Sequence, residues 1–144
     1  MKTLATYLLI TQLVTTFTYR MDSWQDKSKV LFSKWCYDVV DTLPDRWVCA
    51  TNEILKNAFD AELGKPLDNT GFVRIDIHDD KVVISDSGVI VPSHLKLQQR
   101  YRYFGGRGVG LLQAEIMAKR VDYVRKNDTT EVTLWFGNQI LEAA

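Results

Sequence analysis

The sequence predicts an α+β fold: a two-layer α/β sandwich in which one mostly antiparallel sheet carries helices on one face. Three observations lead there. The first half holds two long stretches with apolar residues at helical spacing. The second half holds short alternating stretches that face each other across tight turns. The chain has 144 residues, 46% hydrophobic and 25% charged, enough for one domain with a core that needs no staples. Helices followed by hairpins are the pattern of a sheet covered on one side.

Taken in order, residues 4–14 are apolar and fit either a helix or a strand. Phe17, Tyr19 and Met21 alternate with Thr16, Thr18 and Arg20, which predicts a strand over 15–21. Residues 23–42 read as an amphipathic helix capped by Ser23, with Val30, Leu31, Trp35, Val39 and Leu43 near helical spacing. Pro44 opens a second helix, Asp45 suits its positive end, and Gly64, Lys65 and Pro66 stop it after Leu63. A strand follows over 71–77, a turn over 78–81, and a paired strand over 82–85. Residues 89–106 read as an irregular loop and Gly108 to about Val121 as a helix. A last hairpin joins 123–126 to 131–136 across Asn127 and Asp128. Trp24, Trp35, Trp47 and Trp135 are expected as core or interface anchors.

Charge and cysteine content exclude several functions. Eighteen basic residues balance eighteen acidic ones, which disfavours nucleic-acid binding. The aromatic run Tyr101, Tyr103 and Phe104 beside Arg100 and Arg102 has stacking chemistry but no wider basic patch around it. Cys36 and Cys49 have no metal-ligand spacing and read as buried free thiols, which fits a cytoplasmic protein. Lys2 and the apolar residues after it have the outline of a signal peptide. Gln12 and interspersed threonines dilute the run, and no small-x-small cleavage site follows. The run is too short and polar to cross a bilayer. Residues 1–43 therefore read as an N-terminal strand and helix region suited to a dimer or partner surface, and residues 44–144 as the core of one compact unit.

Three segments carry chemistry, and their order matters. On the second predicted helix, at about 100° per residue, Glu53, Asn57 and Asp60 fall within roughly 60° of one another. That stripe holds a carboxylate, an amide and a carboxylate; such a stripe is often only a solvated face. Next, Asp86 and Gly88 form an Asp-x-Gly step at a strand end, where a buried carboxylate can accept a hydrogen bond from a base amino group. Last, Gly105, Gly106, Arg107, Gly108, Val109, Gly110 and Leu111 place four glycines in six residues before a predicted helix. Such a segment lets backbone approach a ligand, and a helix amino terminus suits phosphate. Neither the P-loop nor the Rossmann glycine spacing is present.

Together these segments, over residues 44–136, resemble the N box and the two glycine boxes of the GHKL ATPases, in that family's order. These are the gyrase, heat-shock chaperone, histidine kinase and mismatch-repair proteins. The wording around Asn57 and Gly108 is similar to citrate/malate-type sensor histidine kinases. The size and layout are similar to stand-alone anti-sigma factor serine kinases. The resemblance implies a Bergerat-type sandwich that binds ATP with Mg2+. By the same resemblance, Asn57 is the metal ligand, Glu53 the general base and Asp86 the adenine reader with Gly88 against the base. Gly106, Gly108 and Gly110 would cradle the phosphates, with Arg107, Val109 and Leu111 in the same segment. Asp60 would line the nucleotide site, and Thr130 would support Asp86.

Two departures from the family pattern shape the expected function. Ile90 stands where the first glycine box has its second glycine, and the presumed lid from Val89 to Gly105 is about 17 residues. A β-branched residue disfavours positive φ, so the lid hinge is expected to be stiff. The histidines, His78 and His94, both follow the N box, so any phosphate acceptor is expected on another protein. The expectation is a stand-alone kinase for serine or histidine on a partner protein, with a homodimer possible and no nucleic acid or membrane involved. The alternative is a degenerate, non-enzymatic docking module that regulates a kinase, sigma factor or response regulator.

Overall fold

The computed structural model describes residues 14–89 and 118–137. Within them, five strands form one antiparallel sheet and two α-helices pack against it. The elements are β1 (Thr15–Met21), α1 (Lys29–Val40), α2 (Asp45–Leu63), β2 (Gly71–Ile77), β3 (Lys81–Asp86), β4 (Arg120–Lys126) and β5 (Thr129–Trp135). The sheet order is β1-β2-β3-β5-β4. Among the described residues no helix is long and apolar enough to cross a membrane.

Alternation along the strands sets the inner face. Phe17, Tyr19 and Met21 on β1 lie level with Ile75, Val73 and Gly71 on β2. Ile75 pairs with Ile84, and Ile84 with Val132. These side chains share one hydrophobic core with Phe32, Cys36 and Val39 of α1 and Trp47, Ile54, Leu55 and Phe59 of α2. Phe32 stacks on Phe59 at 4.2 Å between ring centroids, and Trp47 stacks on Phe136 at 4.8 Å. Such ring pairs contribute about 0.5–1.5 kcal/mol each beyond their buried area.

The opposite sheet face is ionic. Thr16 donates to Asp76 at 2.7 Å, and Trp135 Nε1 donates to Asp122 at 2.8 Å. Lys81 and Arg120 both lie over the Trp135 ring. Trp135 thus serves as a platform for two cations, and Trp47 is the fully buried tryptophan.

The structure corrects several expectations. The helix over 23–42 is two pieces, a 3₁₀ turn over Trp24–Lys27 and then α1. Ser28 between them is extended (φ −70°, ψ 125°) and its hydroxyl accepts the Leu31 N–H, so it is the cap that starts α1. Asp26 closes the first piece by accepting the Ser23 N–H at 2.8 Å. Trp24 is 74% exposed, which removes the core role of the two expected for it. Cys49 is exposed, whereas Cys36 is buried and its thiol is pushed up to about 12, chiefly by burial. The helix expected to reach Val121 does not: Arg120 and Val121 begin β4, because Val121, Tyr123 and Arg125 alternate onto the inner face opposite β5. Most of that predicted helix, the 89–106 loop beyond Val89, and residues 1–13 lie outside the described residues.

The predicted hairpin turns are present. Asn127 takes φ 52°, a left-handed conformation that asparagine tolerates, and Lys126 pairs with Thr129 across it. His78 N–H donates to the Lys81 carbonyl at 2.9 Å to close the β2–β3 turn.

Candidate functional site

The inner face of the sheet changes character along its strands. At one level Val82, Leu134 and Val121 lie side by side; at the next, Ile84, Val132 and Tyr123; at the third, Asp86, Thr130 and Arg125. Three adjacent strands therefore turn from hydrocarbon to polar at the same height. The last turn of α2 follows them, passing from Leu55 and Phe59 to Glu62. Asp86, Thr130 and Glu62 are all buried.

Asp86 sits at the carboxyl end of β3, 2% exposed, and accepts the Gly88 N–H at 2.9 Å. Burial pushes its carboxyl up to about 7, and the negative Glu62 adds to the rise. The Gly88 hydrogen bond and the Arg125 guanidinium oppose it. Arg125 donates to the Gly88 carbonyl at 3.0 Å and to Thr130 Oγ1 at 2.6 Å. Tyr123 is hydrogen-bonded to the same threonine, and burial raises its phenol. Thr130, directly opposite Asp86 in the register, is thus held by two β4 side chains.

Gly88 is a close-approach glycine. A Cβ there would stand 2.3 Å from the carbonyl carbon of Ala61, so no other residue fits without moving β3 off the helix. Val89 N–H then donates to the Ala61 carbonyl at 3.1 Å. Ala61 lies one helical turn after Asn57, so the Asp86 exit and the polar stripe of α2 are neighbours.

That stripe is where the periodicity placed it. Glu53 and Asn57 are half-buried and Asp60 is exposed, while Ile54, Leu55, Ala58 and Phe59 face the core. Glu53 lies 3.8 Å from the exposed Lys56 in a surface ion pair. Such pairs contribute about 0–1 kcal/mol, so Glu53 is readily released. Among the described residues no group of three or more His, Cys, Asp or Glu side chains forms a metal cage.

Of the expected site residues, the structure brings together Asp86, Gly88 and Thr130, next to the helix that carries Glu53, Asn57 and Asp60. Gly106, Arg107, Gly108, Val109, Gly110 and Leu111, together with Ile90, lie outside the described residues. Sequence reasoning missed Glu62, Ser87 and Arg125. The Glu62 carboxylate accepts the Ser87 N–H at 2.7 Å and the Ser87 hydroxyl at 2.6 Å. The available signal was Ser87 itself, a hydroxyl between an aspartate and a glycine at a strand end.

A cleft of about 520 Å³ opens beside this exit, with Lys65, Asp68, Phe72, Ser87, Gly88 and Arg125 among its lining. Its volume is in the range of small-molecule sites. Of the expected site residues among those described, Gly88 alone lines it. The Lys65 ammonium is tied to Thr70 Oγ1 at 2.5 Å and lies 3.7 Å from Asp68.

No protein-family model matches the chain, and no curated protein matches it. The functional reading therefore rests on the residues themselves.

Proposed function

We propose that the chain is an Mg-ATP-binding sandwich of the Bergerat type, acting as a stand-alone protein kinase on a serine or histidine of a partner protein. The observation that carries this reading is Asp86: a carboxyl 2% exposed and pushed up to about 7, at a strand exit pressed onto the helix of Asn57. A buried acid so disfavoured in its charged form is poor structural material, and such groups concentrate at functional sites.

In this reading Asp86 accepts from the base amino group, and Gly88 leaves room for the base. Thr130, held by Arg125, backs Asp86 from β5. Asn57 would hold the magnesium, and Asp60 would line the rim of the site. Mg2+ supplies charge neutralisation at the phosphates when bound. Glu53 takes the proton of an attacking serine hydroxyl as the γ-phosphoryl group passes to that oxygen and ADP leaves; for a histidine acceptor it orients the ring. The segment from Gly106 to Leu111 would supply the phosphate cradle. Residues 1–43 would form the dimer or partner surface. A cytoplasmic location fits the two free thiols.

The test is transfer of labelled phosphate from ATP to partner proteins in a panel of sigma-factor regulators and response regulators. Transfer is expected to fall at least a hundredfold in Glu53→Gln and in Asn57→Ala. Normal transfer by the Asn57→Ala protein sinks the kinase reading. A docking module without catalysis is the second reading, motivated in the sequence by Ile90 at the place of the first glycine box's second glycine and by the short lid expected over 89–105. It predicts partner binding that is indifferent to Glu53→Gln.

A further inference from the structure

We propose that Glu62 is the positioning residue of the strand exit at 86–88, holding Ser87 so that Asp86 and Gly88 meet a ligand in one fixed arrangement. This deepens the proposed function, and rests on it for the identity of the ligand.

Glu62 lies in the last turn of α2, 2% exposed. One carboxylate oxygen receives both donors of Ser87, at 2.7 and 2.6 Å. The serine oxygen in turn accepts the Phe72 N–H at 3.1 Å, which ties the exit to the start of β2. Room for the carboxylate is made by Gly71, where a Cβ would stand 3.0 Å from the second Glu62 oxygen and 2.9 Å from Met21 Cβ. Three consecutive residues are thereby fastened to α2 in three ways. Ser87 is held by the Glu62 carboxylate, Gly88 by contact of its bare Cα with Ala61, and Val89 by its N–H to the Ala61 carbonyl.

Holding geometry alone needs no charge. A glutamine oxygen at this place accepts the same two hydrogen bonds, whereas a buried carboxylate brings a desolvation penalty. The charge acts on Asp86, the neighbouring acid, whose proton it favours. Among the described residues, the groups facing Asp86 include Glu62 from α2, Arg125 and Tyr123 from β4, Thr130 from β5, and the Gly88 N–H of its own exit. Arg125 opposes Glu62, and replacing either one shifts the balance in a known direction.

The experiment compares wild type, Glu62→Gln, Glu62→Ala and Ser87→Ala. Carboxyl NMR titration of Asp86 and amide exchange at Ser87 and Gly88 are read without ligand, and Mg-ATP affinity is read against pH. Glu62→Gln is expected to keep the amides protected and to lower the Asp86 midpoint by about half a pH unit or more. The midpoint of Mg-ATP binding moves with it. Glu62→Ala is expected to speed exchange of both amides by about tenfold and to weaken Mg-ATP by about the same factor. Ser87→Ala, which keeps the backbone donor, falls between. If Glu62→Ala does not fold, Glu62→Gln and Ser87→Ala carry the test. Amides equally protected in Ser87→Ala and wild type overturn the positioning role, and an Asp86 midpoint unmoved in Glu62→Gln overturns the action of the Glu62 charge on Asp86, even if Mg-ATP binds. If wild type does not bind Mg-ATP but the midpoint moves and the amides loosen, the positioning role stands and the nucleotide reading falls.

Discussion

The two ends of the inner sheet face are built from the same strands and the same helix, yet they do different work. At one end Val82, Leu134 and Ile84 are fully buried hydrocarbon that shares the core with Leu55 of α2. At the other, Asp86, Thr130 and Glu62 are buried beside the half-buried Arg125, and short hydrogen bonds run from Ser87 to Glu62, from Gly88 to Asp86 and from Arg125 to Thr130. Burial is similar at both ends, so exposure does not distinguish them. Chemistry does: the apolar end stabilises the fold by removing surface from water, at roughly 1.5–3 kcal/mol per large side chain. The polar end spends stability to keep an acid out of water. A costly end held on the same scaffold as a stabilising one is the pattern expected of a site.

The largest effect that breaks this comparison is at Asp86. Its carboxyl titrates near 7 in the folded chain, against 3.8 for the ordinary group. Between those values the folded state keeps a proton that the unfolded state has released. Stability therefore falls as pH rises through that window, and the full cost, roughly 4 kcal/mol, applies above pH 7. Asp86→Asn keeps an oxygen for the Gly88 N–H and removes the ionisation. It is expected to be more stable than wild type at pH 8, to match it near pH 4, and to lose nucleotide binding. Urea unfolding at the two pH values checks the first two outcomes.

At the apolar end the sign reverses. Leu55→Ala and Leu134→Ala are each expected to cost about 2–5 kcal/mol at every pH, with no loss of ligand affinity in the protein that remains folded. Chemical denaturation at pH 5 and pH 8 separates this flat loss from the sloped behaviour at Asp86.

Gly88→Ala sharpens the comparison at the junction. The added methyl meets helix backbone, which cannot rotate away, so β3 must lift from α2. A loss of about 1–3 kcal/mol is expected, with ligand affinity falling more than stability explains. Thr51→Val is the smallest change. Thr51 Oγ1 is buried on the core face of α2 without a hydrogen-bond partner among the described residues, so replacing it with a methyl is expected to raise stability by about 1 kcal/mol.

Local pattern made much of the fold legible. Alternation over 71–77 and 81–86, Asn127 in its turn, and the apolar face of α2 from Trp47 to Phe59 all appear in the sequence at their true period. What stayed hidden depends on groups distant in the chain. Ser28 breaks a helical pattern because its hydroxyl is a better cap than a helix-interior group, a choice that spacing does not register. Val121 reads as the end of a helix until β5 offers it a partner. In the site, Asp86 was marked by its strand-end turn and Asn57 by its helical stripe. Glu62 looked like any acid near a helix end, since its burial is imposed by Gly71 at the start of β2 and Ser87 just past β3. Arg125 looked like a hairpin cation, and only the β4–β5 register sets it beside Thr130.

The measurement that tests the central claim most directly is calorimetric binding of Mg-ATP between pH 5.5 and pH 8.5, on wild type and Asp86→Asn. An ionised Asp86 accepting from the base predicts binding that is constant above pH 7 and weakens by about tenfold per pH unit below it, with none in Asp86→Asn. Mg-ATP binding that is independent of pH and survives Asp86→Asn would contradict the claim that the polar end of the sheet reads the nucleotide.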